Sequence, residues 1–248
     1  MELESLERYA RHIVLREIGG LGQKRLMLAK ILIIGAGGLG SPALSYLAAA
    51  GVGTLGIIDG DRVSLSNLQR QTIFGTNDIG ELKVKVTKQA LLRLNPNVEV
   101  IDYPEMLDAE NAKQIIDKYD IVLDGSDNFK TRYLVNLICF RLQKPLLSAA
   151  ISQWDGQMSL YDPSKGTPCY ECIFPEQKNS ENIVTCSEGG VLGSLPGIIG
   201  TMMATETLKF LVKAGKLLLN EMIIYNALSS EMHRYRIYSR STCKVCKN

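Results

Sequence analysis

Two Cys-x-x-Cys pairs, Cys169 with Cys172 in "CYEC" and Cys243 with Cys246 in "CKVC", set four thiols at the spacing of a tetrahedral zinc site. Nothing else in the pattern asks for an open coordination position, so the expected Zn²⁺ is structural and pins the C-terminal tail to the body. Two cysteines remain. Cys139, in the apolar "YLVNLICF", reads as a small core residue. Cys186 stands in a polar stretch before Glu188 and two glycines, and reads either as an exposed nucleophile or as an idle surface thiol.

A second constellation begins at "ILIIGAGGLGSPALSYLAAAGVGTLGIID", Ile31 to Asp59. An apolar run meets Gly35-Ala36-Gly37-Gly38-Leu39-Gly40, then a small-residue helix pattern, a second apolar run and an acid. Gly35 suits a tight turn, Gly37 a close approach of phosphate to backbone, and Gly40 close helix packing. The following helix N-terminus offers free N–H groups and the positive end of its dipole. Asp59, 19 residues past Gly40, is spaced to accept from a ribose hydroxyl.

The next stretch, "DRVSLSNLQRQTIFGTNDIGELKVKV", adds Asn67, Arg70 and Lys83. Several donors near one phosphate site suit a triphosphate better than the pyrophosphate of NAD, because a triphosphate carries more charge to neutralise. Asp124 and Asp127 in "DIVLDGSDN" follow a predicted strand, at the edge where open α/β sheets bind ligands. Asp127 there is expected to hold Mg²⁺ against phosphate oxygens, and helix capping is the alternative for the Asp127-Asn128 pair.

A hydride-transfer enzyme needs a proton donor or acceptor beside its cofactor, and the chain offers only His12 and His233, both in terminal segments. Tyr161 and Lys165 match the Tyr-x-x-x-Lys spacing of one dehydrogenase class. That spacing requires a helix, whereas Pro163 and Gly166 make "YDPSKG" a turn. An NAD-dependent oxidoreductase is therefore the weaker reading.

The elements that must position these residues follow from periodicity. Leu3 to Arg16 carries helical spacing that ends near Gly19-Gly20. Strands are expected at 31–35, 54–59, 98–102, 120–124 and 145–150, alternating with helices at 39–50, about 81–94, about 108–118 and 128–142. Such alternation predicts a Rossmann-type, doubly wound and mainly parallel sheet. Beyond Ala150, "DGQMSLYD" and "EMIIYNALSSEMHRYRIY" read as strands without intervening helices, an antiparallel extension of that sheet. The run Val191 to Val212, broken by Pro196, Glu206 and Lys209, reads as a buried helix and not a membrane span. Residues 174–190 are polar and aperiodic, a mobile loop long enough for function.

At 248 residues the chain fits one α/β domain over 1–248, and a formal net charge of +2 gives no general reason to bind nucleic acid. The charged N-terminus has no apolar signal core, so a cytoplasmic protein without membrane attachment is expected.

Taken together, "RYARHIVL", "GAGGLGSP", "DGDRVSLSNLQRQ", "GELKVKV", "LDGSDNFKTRYLVN", "PCYEC", "TCSEGGV" and the final "CKVC" make the chain resemble the MoeB/ThiF group of E1-like adenylyltransferases over essentially its whole length. The resemblance implies ATP as substrate and adenylylation of a ubiquitin-like sulfur-carrier protein that ends in Gly-Gly. It implies that Gly37 and its neighbours cradle phosphate and Asp59 holds ribose. Asn67, Arg70 and Lys83 then stabilise phosphate charge, while Asp127 holds Mg²⁺. It also implies a homodimer in which Arg11 reaches the partner subunit's nucleotide. The chain ends two residues past Cys246, so sulfur is expected from a separate donor protein. MoeB-like members serve molybdopterin synthase, and ThiF-like members serve thiazole synthesis and can use a loop cysteine. Cys186 matches that loop position without separating the two, and the molybdopterin carrier is the leading expectation. A non-catalytic nucleotide-binding scaffold is the reading from a different class.

Overall fold

A computed structural model describes residues 3–176 and 189–247. One eight-stranded sheet runs through it in the order β3-β2-β1-β4-β5-β6-β7-β8. The first five strands, β1 (Lys30–Ile34), β2 (Thr54–Ile58), β3 (Glu99–Tyr103), β4 (Ile121–Asp124) and β5 (Leu146–Ser152), pair in parallel. The last three, β6 (Asp155–Tyr161), β7 (Glu221–Asn226) and β8 (Glu231–Arg236), continue it antiparallel.

The parallel half is buried on both faces, which is why its strands read as unbroken apolar runs. Alternate residues of β1 serve different cores. Ile31 and Ile33 face the core built with Leu44, Leu47 and Ile199, while Leu32 and Ile34 face the one built with Ile116, Val135 and Cys139. Cys139 is thus a core residue, 1% exposed, as its apolar setting predicts. On the first face lie α4 (Gly40–Ala49), α5 (Lys83–Leu94) and α9 (Leu195–Val212), and on the second α6 (Ala112–Ile116) and α7 (Phe129–Arg141). Because β1 crosses over to β2 on one side and its other neighbour is β4, the chain reverses its winding direction between β1 and β4.

Three expectations need correction. The single helix over Leu3 to Arg16 is two short ones, α1 (Leu3–Arg8) and α2 (Ala10–Ile13). Gly19-Gly20 is not a stop, since α3 (Gly19–Leu28) begins there. Gly19 adopts φ +56°, which turns the chain, and burying Leu26 and the Gln23 amide on the Ala50 carbonyl at 2.8 Å outweighs the low helix propensity of the glycines. Helix α6 is shorter than 108–118 because Asp108 and Asn111 bond each other's backbone in a side-chain-closed turn that consumes its first residues. The predicted loop falls mostly on residues 177–188, so Cys186 lies outside the described residues. Among the described residues no helix is long and apolar enough to cross a membrane.

Candidate active site

The glycine loop sits between the C-terminal end of β1 and α4, at the point where the winding reverses. Gly35 has φ +90°, a conformation that side chains with a Cβ rarely adopt, and the loop after β4 packs on it, with the Gly125 carbonyl 3.3 Å from where a Cβ would stand. At Gly40 a Cβ would run into the Gly35 carbonyl, so this glycine closes the helix onto the turn. Gly37 faces mostly open space, with the Gln71 amide nitrogen 3.4 Å from an added Cβ, while Gly38 lies against Pro196 at the start of α9.

Asp59, at the end of β2, is only 9% exposed. Its Oδ2 accepts from the Ala36 N–H at 2.8 Å and its Oδ1 from the Asp61 N–H at 2.8 Å. The acid expected at the ribose therefore also fastens the glycine loop, a role that spacing alone does not reveal. Burial pushes its carboxyl above the usual range, against the lowering pull of Lys83 and the two backbone donors.

Lys83 opens α5, is 5% exposed, and donates from Nζ to Asp61 Oδ2 at 2.7 Å. Asn67 and Arg70 share a short 3₁₀ segment, Leu65–Asn67, and the turn after it. Asn67 accepts from the Ser64 N–H at 3.3 Å, and Arg70 donates to the Ser66 carbonyl at 2.9 Å. The Arg70 Cδ comes within 3.9 Å of a Cβ placed on Gly38, so this side chain lies across the glycine loop. Gln71, which sequence reasoning did not single out, is 4% exposed beside Gly37, and its Oε1 has no hydrogen-bond partner.

After β4 the two acids have different settings. Asp124 is fully buried and accepts from the N–H and hydroxyl of Ser126 at 3.0 and 2.6 Å. Asp127 is exposed, and the cap of α7 is Asn128, whose Oδ1 accepts from the Thr131 N–H at 2.9 Å. The capping role goes to Asn128 and leaves the Asp127 carboxylate open at the mouth, an arrangement suited to a hard divalent cation. Arg11, in α2, is exposed, and its side chain makes no hydrogen bond or ion pair with the described residues. Tyr161 and Lys165 flank a 3₁₀ turn, Pro163–Lys165, and Lys165 pairs with Asp162 at 3.2 Å, so they form no dehydrogenase pair.

The four paired cysteines converge away from this loop. Cys169 and Cys172 border the one-turn helix α8 (Tyr170–Ile173), and their sulfurs lie 3.5 Å from Cys243 and 3.3 Å from Cys246 respectively, with all four within 4.8 Å of one another. A tetrahedron of sulfurs about 2.3 Å from a zinc ion has edges of about 3.8 Å. Burial pushes the Cys169 thiol up to about 12 and raises that of Cys246, while hydrogen bonds outweigh burial at Cys243 and lower it, and a bound cation would favour the thiolate form. The cluster fits a metal site.

A glycine turn ahead of a helix, at the winding reversal and rimmed by an arginine, a lysine and acids, defines a Rossmann-type nucleotide-binding site. The chain belongs to the ThiF family, whose model matches residues 9–246. It is 44% identical over 247 residues to a sulfur carrier protein adenylyltransferase of Thermus thermophilus, covering 98% of this chain and 91% of that protein. It is 42% identical to the mouse adenylyltransferase and sulfurtransferase MOCS3, covering 98% of this chain and 53% of MOCS3, so it spans about half the length of that relative. The crystal structure of E. coli MccB with ATP superposes with a TM-score of 0.84 at 27% identity, covering 97% of this chain and 75% of that one. The protein is an adenylyltransferase.

Proposed function

We propose that this enzyme adenylylates the C-terminal carboxylate of a small ubiquitin-like sulfur-carrier protein ending in Gly-Gly, in the cytoplasm. The observation that carries the reading is Arg70 lying across the glycine loop, with Lys83 buried, donating to Asp61 and acting electrostatically on Asp59, which holds that loop. The carrier's carboxylate oxygen attacks the α-phosphate of ATP, the bond from that phosphorus to the bridging oxygen breaks, and pyrophosphate leaves with the electron pair. A carboxylate is already a nucleophile, so no general base is needed. Catalysis is then positioning and charge stabilisation, consistent with a chain that has two histidines.

In this reading the backbone of Gly37 and Gly38 and the N-terminus of α4 receive phosphate. Asp59 holds the ribose, and Asn67, Arg70 and Lys83 spread the developing charge. Asp127 holds Mg²⁺, which when bound neutralises phosphate oxygens. Arg11 of a second subunit completes the site in a homodimer, a role its exposure and its lack of a side-chain partner among the described residues leave open to it. The four cysteines hold Zn²⁺ as a structural ion. A separate protein then supplies sulfur to convert the adenylate to a thiocarboxylate. The carrier is that of molybdopterin synthesis. The thiazole carrier of thiamine synthesis, on which the same chemistry would run, is the second reading.

ATP–pyrophosphate exchange with Mg²⁺ and each purified carrier tests the proposal. Exchange that requires one carrier with an intact Gly-Gly tail and disappears in Asp127→Ala supports it and names the pathway. Exchange with neither carrier overturns it.

A further inference from the structure

Beneath the Asp127 loop lies a buried charge cluster that none of the roles above uses. Arg132, one turn into α7, is 6% exposed at the C-terminal end of β4, level with Ser148 in the first half of β5. Its Nη2 donates to the Ser126 carbonyl and its Nη1 to the Ser148 hydroxyl of β5 at 3.2 Å. Nη1 also stands 4.0 Å from Asp124 Oδ2, a buried oxygen with no hydrogen-bond partner, so their attraction is electrostatic. Asp124 Oδ1 in turn holds the Ser126 N–H and hydroxyl. Ser126 is therefore gripped at all three of its polar groups: nitrogen and hydroxyl by Asp124, carbonyl by Arg132.

The residues on either side of Ser126 explain what the grip is for. Gly125 donates to the Ile34 carbonyl at 3.0 Å, and a Cβ placed on it would stand 3.2 Å from Leu39, so it is wedged into the glycine loop. Asp127 is the open carboxylate at the mouth. Two fully desolvated charges are a costly way to hold a turn, and a hydrophobic pair would pack the same sheet end without that cost. What the charges add is direction, since a forked guanidinium and a two-oxygen acceptor fix one orientation of the peptide between them.

We propose that Arg132, acting with Asp124 through Ser126, is the positioning residue that fixes the Asp127 carboxylate over the glycine loop. The proposal rests on the adenylyltransferase reading for the use made of Asp127. The cluster also reaches the cysteine site. Tyr170, between Cys169 and Cys172, donates its N–H to Asn136 of α7 at 2.9 Å, and its hydroxyl interacts with the Arg132 side chain. The helix that carries two metal ligands thus braces the same guanidinium.

The test uses the full-length protein with Arg132→Lys, which keeps the charge and loses the fork, and with Ser148→Ala, a milder change that removes only the β5 anchor. In nucleotide-free protein, hydrogen exchange of the peptide spanning 124–131 should quicken about tenfold while β1 peptides and the thermal midpoint stay near wild type. The Mg²⁺ concentration that half-saturates ATP–pyrophosphate exchange should rise about tenfold, with kcat at saturating Mg²⁺ largely recovered. If Arg132→Lys fails to fold, Ser148→Ala gives the same two readouts at smaller amplitude. Unchanged exchange at 124–131, or exchange that quickens equally in β1, overturns the proposal. Absence of pyrophosphate exchange in the wild type would instead indict the functional reading, and the hydrogen-exchange comparison would still decide the clasp.

Discussion

Lys83 and Asp127 are both expected to meet ATP, yet their surroundings predict different phenotypes. Lys83 is buried and ion-paired with Asp61, and its charge eases the burial of Asp59. Lys83→Met should therefore abolish pyrophosphate exchange and also lower stability by about 1–3 kcal/mol, because it leaves a desolvated carboxylate without its cation. Asp127 is exposed and caps nothing, so Asp127→Asn should cut kcat by about 10² or more while the unfolding free energy moves by less than about 0.5 kcal/mol. Parallel denaturant melts and exchange assays check the contrast, and equal destabilisation by both variants would contradict it. Which residues were legible in the sequence follows the same division. Gly35, Gly40 and Asp59 announce themselves because each meets a local demand of chain geometry at fixed spacing. Arg132 and Gln71 do not, since what defines them is burial against residues distant in the chain.

At the scale of elements, the βαβ alternation was readable because each parallel strand is an apolar run buried on both faces, and the observed bounds fall within a few residues of the expected ones. Helix α3 was not readable, because its glycines are compensated by contacts distant in the chain: Leu26 is buried, Gln23 donates to the Ala50 carbonyl, and a Cβ on Gly22 would stand 3.5 Å from Val212 of α9. Lys88 of α5 ties that helix to β3 through Asp102 at 2.6 Å, and this hydrogen bond holds the Asp102 carboxyl below its ordinary value of 3.8. A lowered folded pKa means that the stabilisation is present above 3.8 and is lost as pH falls through the folded value. Both side chains are partly in water, so the contribution is about 0.5 kcal/mol after screening. Wild type should exceed Asp102→Asn by that amount at neutral pH, and urea melts at descending pH should show the gap closing only in strong acid.

At the scale of the whole molecule, the cysteine site ties Cys243 and Cys246 to α8 and through it to the sheet. Removing the bound metal with a strong chelator should lower the thermal midpoint by roughly 5 °C or more. Limited proteolysis should then cut within residues 238–247, while ATP still raises the midpoint, because the nucleotide loop is built from other residues. If Arg11 completes the partner's site, two inactive variants should rescue each other. Mixing Arg11→Ala with Asp127→Ala protein under subunit exchange creates heterodimers with one intact site, and activity should rise from near zero to about a quarter of wild type as the mixture approaches random pairing. No recovery in exchanged dimers would place Arg11 outside the active site.

Strand β8 ends the sheet on its open side, and all six of its residues are exposed. One row of its backbone N–H and C=O groups pairs with β7 and the other faces water, which makes it a template on which a foreign strand could grow. Glu231, His233, Arg234 and Arg236 line that strand, with Arg234 tied back to Glu221 of β7 at 3.4 Å. Charged side chains on an edge strand must shed water before a foreign strand can pair there, which disfavours such pairing. The charges of the outermost strand thus oppose edge-to-edge association from side chains that take no part in the chemistry proposed above.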